Sequence, residues 1–305
     1  MRHVSRSTTF ILLLAALCLA GPAAAQTCLE PPPGMLAWWP ADGDTQDAVG
    51  NLDAALTGGA GFATGLVGEA FEVDSANGGP DVSVVLPRFA ADGLDDFTVE
   101  LWMNSSDSEG ALVSAANGNP AGDSEILIYQ TATGLRSSLK QQRSAVQSVS
   151  VNDGSWHHVA LVREAAFVHT YVDGVLRDSG LLPAGALDVG PRGFLLGQEQ
   201  DCLGGCFDPG QELNGLFDEV TVYHRALSEN EILDIVAAGA AGKCKSLEEE
   251  EQQGPDLSIL QLQIDTLSDQ LLELETRVDE LKTPKRSGRK SHRRHKRRHS
   301  RHHDD

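Results

Sequence analysis

Between Met35 and about Ala226 the chain repeats one pattern. Apolar residues fall at every second position, or fill a few consecutive ones, and then a break of Gly, Asp, Asn or Pro follows. "DVSVVLP", "FTVELWMN", "EILIYQT", "WHHVALVRE", "HTYVDGVLRDSG", "GFLLG" and "LFDEVTVYHRAL" are such runs. Successive side chains of an extended chain point to opposite faces, so period-two spacing makes one apolar face, whereas a helix would scatter the same residues around its axis. Short runs with regular turn signals predict an all-β sandwich, with Asp173-Gly174 as the turn of a hairpin. The exception is "SENEILDIVAAG", which predicts a helix with Ser228 as its cap, Glu231 in the capping-box position and Gly239 at its end. Roughly 200 residues of this kind suffice for one domain with a substantial core.

The ends of the chain are different. Arg2 and Arg6 precede an apolar run from Phe10 to Ala20, and small residues stand at Ala23 and Ala25, the pattern of a secretory signal peptide (residues 1–25). Leu17 is too bulky for a lipid-attachment site at Cys18, and no other stretch reaches the ~18 apolar residues of a membrane span. The mature chain is therefore expected outside the cytoplasm: extracellular, periplasmic or at the cell surface. Oxidation is the rule there, and the four remaining cysteines, Cys28, Cys202, Cys206 and Cys244, allow two disulfides in three connectivities. The favoured pairing is Cys202–Cys206, a staple across the Gly204-Gly205 turn, with Cys28–Cys244 clamping the two ends of a domain over 26–244. Zinc bound at the Cys-x3-Cys is the alternative, although no histidine lies nearby.

After Cys244 comes an acidic linker, 245–256, broken by Gly254-Pro255. Leu257, Leu260, Ile264, Leu267, Leu271, Leu274, Val278 and Leu281 then recur alternately three and four apart, a heptad seam that predicts a coiled coil over 257–282 and a homo-oligomer, dimer or trimer. Residues 283–305 offer nothing apolar to bury and are expected to be disordered. The net charge of −20 hides a contrast: residues 285–305 carry ten of the 24 Lys and Arg, while 26–284 keep 12 bases against 42 acids. Such a tail attracts polyanions, with extracellular DNA, anionic glycans and lipopolysaccharide as candidates, or folds back on the acidic body.

The stretch "GQEQDCLGGCFDPGQELNG" places Glu199, Gln200, Asp201, Asp208 and Gln211 within thirteen residues. Carboxylates this close repel one another. Ca²⁺ takes 6–8 oxygen ligands from carboxylates, amides and backbone carbonyls, so it would cancel the repulsion, and Gly204, Gly205 and Gly210 let the backbone turn inward. An all-oxygen set disfavours softer metals. The residues alone also fit a solvated acidic loop.

Together with this loop, "MLAWWPADGDTQDAVGN", "GLVGEAFEVD", "FTVELWMN", "SWHHVALVRE", "YVDGVLRDSG" and "LNGLFDEVTVYHRALSENEI" resemble the LamG-like jelly roll of the concanavalin A-like lectin/glucanase superfamily. "LLGQEQDCLGGCFDPGQELNGLFDEV" is similar to the calcium loop of pentraxins, and "DSEILIY" to the segment that supplies the other side of that site. The resemblance implies a jelly-roll sandwich and calcium held by Glu199, the Gln200 main-chain carbonyl, Asp201, Asp208 and Gln211, with Asp123 and Ser124 from the second segment. Tyr129 flanks that site as a candidate ligand contact. Pentraxins have Asn at Ser124 and Glu at Asp208, and their cysteine pair is replaced by Glu100 and Ala160.

No motif here points to an enzyme. The strand pattern Glu-x-Asp-x-x-Glu and the Gly-x-Ser-x-Gly elbow are both missing from the sequence. His157-His158 sits in a strand motif, where local bonding is expected, and Trp38, Trp39, Trp102 and Trp156 are expected in the core. The reading is a non-catalytic, calcium-dependent recognition module for a glycan or anionic headgroup. An adhesive surface protein that uses the sandwich for protein contacts is the alternative.

Overall fold

The computed structural model describes residues 28–78, 81–117, 124–143, 147–181, 185–200, 207 and 210–245. The signal-peptide residues, Asp123, Asp201, Cys202, Cys206 and Asp208, and the linker, heptad and tail residues from 246 onward lie outside them.

The first strands are β1 (Met35–Trp39), β2 (Ala55–Thr57), β3 (Gly61–Thr64), β4 (Glu69–Val73) and β5 (Ser83–Leu86). A single helical turn, α1 (Ser75–Gly78), lies between the last two. There follow β6 (Phe97–Asn104), β7 (Gly110–Ala116), β8 (Ser124–Thr131), β9 (Gly134–Leu139) and β10 (Gln142–Arg143). The chain then forms β11 (Trp156–Glu164), β12 (Phe167–Val172), β13 (Val175–Leu181), β14 (Phe194–Leu196), β15 (Gly215–Tyr223) and the helix α2 (Glu229–Ala238). Two antiparallel sheets result. One runs β13-β12-β11-β6-β15-β4-β3, with β1 also on β15; the other runs β10-β9-β8-β7-β14-β5-β2. "FTVELWMN" and "WHHVALVRE" coincide residue for residue with β6 and β11.

Alternate residues of both sheets meet in one core that includes Phe71, Phe97, Leu101, Met103, Leu112, Ile126, Ile128, Phe194 and Phe217. The outer face of the eight-stranded sheet is covered as well. Ile232 and Ile235 of α2, with Leu227, pack on Ala160, Val162, Tyr171 and Tyr223, which is why six successive residues of β11 are buried. The helix starts at Ser228 with the anticipated capping box and stops at Gly239. At the β12–β13 hairpin, Asp173 and Gly174 both take positive φ, 52° and 75°, the turn geometry that matches strand twist. A side chain at Gly174 would also strike Leu233 of α2, with its Cβ only 2.7 Å from the leucine Cδ2.

The two ends of the described sandwich, around Cys28 and Cys244, meet beneath this helix-covered face. Cys28 and Cys244 are joined as a disulfide, and Leu29 pairs with Lys243 in a parallel bridge. The Lys243 ammonium passes inward between two buried carboxylates, 3.1 Å from Glu100 and 3.1 Å from Glu219. His158 bonds the other Glu100 oxygen at 2.9 Å. Burial alone would raise the Glu100 pKa, but Lys243 and the His158 hydrogen bond hold it below the usual carboxylate range. Glu100 and Ala160 face each other across β6 and β11. Where pentraxins have a cysteine pair, this chain therefore places a buried ion cluster.

Candidate functional site

The backbone after β14 stays against the second sheet instead of leaving it. Gly197 N–H donates to the Leu112 carbonyl (3.2 Å), Leu213 N–H to the Gly197 carbonyl (2.9 Å) and Ala111 N–H to the Gln211 carbonyl (2.9 Å). Both arms of the 197–213 loop are thus held beside β7. One hydroxyl fixes the entering arm. Ser114 Oγ donates to the Gln198 carbonyl at 2.7 Å and accepts from Gln200 N–H at 3.0 Å, and the Gln198 side chain accepts from Glu199 N–H at 2.9 Å. Glu199 and Gln200 are consequently 5% and 1% exposed, although neither belongs to a strand.

Tyr129 and Ser124 come from the neighbouring strand. Tyr129 lies opposite Ala111, and Ser124 lies opposite Ala116, two positions along β7 from Ser114. The Tyr129 ring is buried, with the Arg136 guanidinium 4.5 Å from its centroid. Its hydroxyl pKa is pushed up by burial and then by the negative charges of Glu109 and Glu199. Gln211 Oε1 is buried without a hydrogen-bond partner among the described residues. Leaving such an acceptor unmatched costs roughly 1–3 kcal/mol, so the position favours a donor or a cation.

Four of the seven expected ligands, Ser124, Glu199, Gln200 and Gln211, are therefore brought to β7, β8 and the loop held on them. The other three, Asp123, Asp201 and Asp208, lie outside the described residues, as does the Cys202–Cys206 pair. Among the described residues no group of three or more His, Cys, Asp and Glu side chains gathers as a metal centre. The donors present are oxygens: a carboxylate on the entering arm and, on the returning arm, an amide oxygen with no partner among the described residues; oxygens of this kind suit a hard cation such as Ca²⁺. Sequence reasoning missed Ser114. Its only signal is a hydroxyl in the small-residue run "GALVSAA".

Residues 77–233 match the family model described as the concanavalin A-like lectin/glucanases superfamily. The chain belongs to this superfamily. Within it, the chain is 30% identical over 143 residues to neuronal pentraxin-1 of Homo sapiens and 31% identical over 143 residues to neuronal pentraxin-2 of Mus musculus. Each match covers 46% of this chain and 33% of the relative, so the chain spans about a third of the length of these relatives. Domain 4 of AbnA, a GH43 extracellular arabinanase from Geobacillus stearothermophilus solved with arabinotriose, superposes with a TM-score of 0.52. It is 21% identical and covers 66% of this chain and 97% of that domain, a likeness of fold. Among the described residues no helix is long and apolar enough to cross a membrane.

Among the four tryptophans, Trp38, Trp39 and Trp102 of this lectin-like sandwich are buried as expected, but Trp156 is partly exposed. It is the first residue of β11. His157 and His158 bond locally, His157 to Asp153 and Asp173 and His158 to Glu100.

Proposed function

We propose that this chain is a secreted, calcium-dependent recognition module that binds a glycan or an anionic headgroup through the 197–213 loop. The observation that carries the reading is the buried Glu199 held beside β7, together with the buried oxygen of Gln211 that has no hydrogen-bond partner among the described residues. Calcium would be held by Glu199, the Gln200 carbonyl and Gln211, with Asp123, Ser124, Asp201 and Asp208, and would supply positive charge to oxygens of the ligand. Around it, Ser114 keeps the loop backbone in place and Tyr129 and Arg136 form the adjoining wall. We read the domain as non-catalytic, because the buried acids of β6 and β15 are engaged by Lys243, by His158 and by backbone N–H groups. The test is a glycan and lipid-headgroup array probed with the full chain in calcium and in chelator. Binding should disappear in chelator and in Asp201→Asn and Asp208→Asn; retention in all three would refute the reading.

The heptad seam at 257–282 is proposed to join two or three copies, so that the basic tails act together on a polyanion; linked sites gain roughly 10²–10⁴ in avidity. Replacing Leu267 and Leu274 with Ser should yield a monomer by sedimentation and weaken heparin binding.

A second reading, adhesion through protein contacts, draws on the edge strand β13 and the nearby helix. Phe167, Val175, Leu176, Leu181 and Leu233 are each more than two-fifths exposed there. Retention of a protein partner in chelator would favour it.

A further inference from the structure

Lys243, Glu100 and Glu219 meet out of contact with solvent, their side chains at most 2% exposed. They come from three parts of the chain. β6 supplies Glu100, β15 supplies Glu219, and Lys243 stands in the bridge to Leu29 beside the disulfide. Well-packed apolar residues are often at least as stable as a buried ion pair, so stability alone does not account for the trio. Nor does strand alternation place Glu219 there. It sits in the β15 bulge at a φ of 56°, a left-handed conformation that a non-glycine residue holds only under constraint.

Lys243 Nζ lies 3.1 Å from Glu219 Oε2 and 3.1 Å from Glu100 Oε1, and it donates to the Glu219 carbonyl at 3.3 Å. The centre of the Trp38 ring is 5.6 Å from Nζ, and His158 bonds the other Glu100 oxygen at 2.9 Å. The two carboxyl groups differ in state. Burial opposes ionisation of both, but Lys243 and His158 hold the Glu100 pKa down, while the Glu219 pKa stays raised despite Lys243. A nitrogen is thus fixed between a base and a carboxylic acid, in contact with both.

We propose that Lys243 and Glu219 condense to an amide, a covalent link between β15 and the end of the domain, with Glu100 as the proton relay. Burial opposes the Lys243 charge and the two carboxylates restore it, so the resting group is an ammonium. Glu100 takes one proton from it, and the free amine attacks Cδ of the Glu219 carboxyl. The Nζ–Cδ bond forms, and the bond from Cδ to the hydroxyl oxygen breaks. Nζ gives up two protons in all: one leaves with the hydroxyl as water, and the other stays on Glu100. The ammonium and the Glu100 carboxylate are both neutralised by this step, in a site where charge is costly. Fixed contact makes the condensation unimolecular. Lys243 and Glu219 are 24 residues apart, so the link closes a loop that contains α2. Unlike the Cys28–Cys244 disulfide, it survives reduction.

The test is the mass of the purified full chain, reduced and unfolded, followed by peptide mapping. The parent should be lighter than its linear sequence by one water, and the peptide containing Lys243 should be joined to the one containing Glu219. Lys243→Arg and Glu219→Ala should each remove the link and restore the lost water. Glu100→Gln keeps the shape of the side chain without the base, and it should leave the chain mostly unlinked yet folded by circular dichroism. The parent's own mass decides even where a variant fails to fold. A Lys243 amine that accepts an acylating reagent after the parent is unfolded overturns the inference, as does a link from Lys243 to any other residue. A Glu100→Gln chain linked as completely as the parent overturns the relay.

Discussion

Asp218 sits in β15 with no exposed surface, and its Oδ2 accepts from the N–H groups of Leu66 (2.8 Å) and Val67 (2.9 Å). The chain comes so close that a Cβ at Gly65 would stand 2.6 Å from that oxygen. Burial outweighs these two hydrogen bonds and, with the Glu219 charge beside it, pushes the Asp218 pKa up to about 7. The folded state therefore holds this proton more tightly than the unfolded chain does. The stability it lends is present at acid pH and is lost as pH rises from the ordinary carboxylate range through about 7. Asp218→Asn keeps an acceptor for the two N–H groups, so it should flatten this slope and melt higher than the parent at pH 8, by at most ~4 kcal/mol. A lower midpoint at pH 8 would count against this account. Nothing in "LFDEVTVY" announces the situation. Strict alternation would put one of two adjacent acids in the core and the other on the outer face. A bulge between Asp218 and Thr221, with Glu219 at a φ of 56°, leaves both 0–1% exposed instead.

Among the elements, those legible in sequence are those whose signals are local. β6, β11, the Asp173-Gly174 hairpin and the Ser228 cap depend on alternation, turn chemistry and capping within a few residues. β7 is built of Gly, Ala, Leu, Val and Ser and has weak intrinsic preference for a strand; pairing with β8 and β14 decides it. With β7 unrecognised, the Ser114 pin was hidden too, although the residues it helps to position were named from the sequence. The hairpin also carries a pH-dependent link. His157 Nδ1 lies 2.9 Å from Asp173 and its Nε2 3.2 Å from Asp153, joining the turn before β11 to the hairpin tip. The Asp173 hydrogen bond, opposed by burial and helped by that carboxylate's charge, raises the His157 pKa. Its contribution is full below the ordinary imidazole pKa of ~6.5 and is lost as pH rises through the folded value. Amide exchange at the hairpin tip should speed up between pH 6 and 8 beyond the intrinsic rate, by an amount equivalent to ~1 kcal/mol or less. His157→Gln should abolish that excess; an unchanged excess in the variant would refute the link.

At the scale of the molecule, the sandwich is closed by its own ends. Leu29 N–H donates to the Gly242 carbonyl and Cys244 N–H to the Leu29 carbonyl, both at 2.8 Å, beside the Cys28–Cys244 disulfide. The cysteine spacing suggested that clamp, but the ion cluster below it had no signal in the sequence, because Glu100, Glu219 and Lys243 are far apart in the chain. Lys243→Met should cost ~3–5 kcal/mol in denaturant unfolding by stranding two buried carboxylates, and adding Glu100→Gln should restore part of it. No recovery in the double variant would mean that lost packing, rather than stranded charge, sets the cost. The same sandwich carries the 197–213 loop, and the calcium site proposed there is the central claim. The thermal midpoint of the full chain in millimolar Ca²⁺ and in chelator tests it most directly. A cation bound only by the folded state stabilises it by about 2.7 kcal/mol at a hundred times its Kd, so the midpoint should rise in Ca²⁺, and Asp201→Asn should remove most of the rise. An identical midpoint in both buffers would contradict the calcium site.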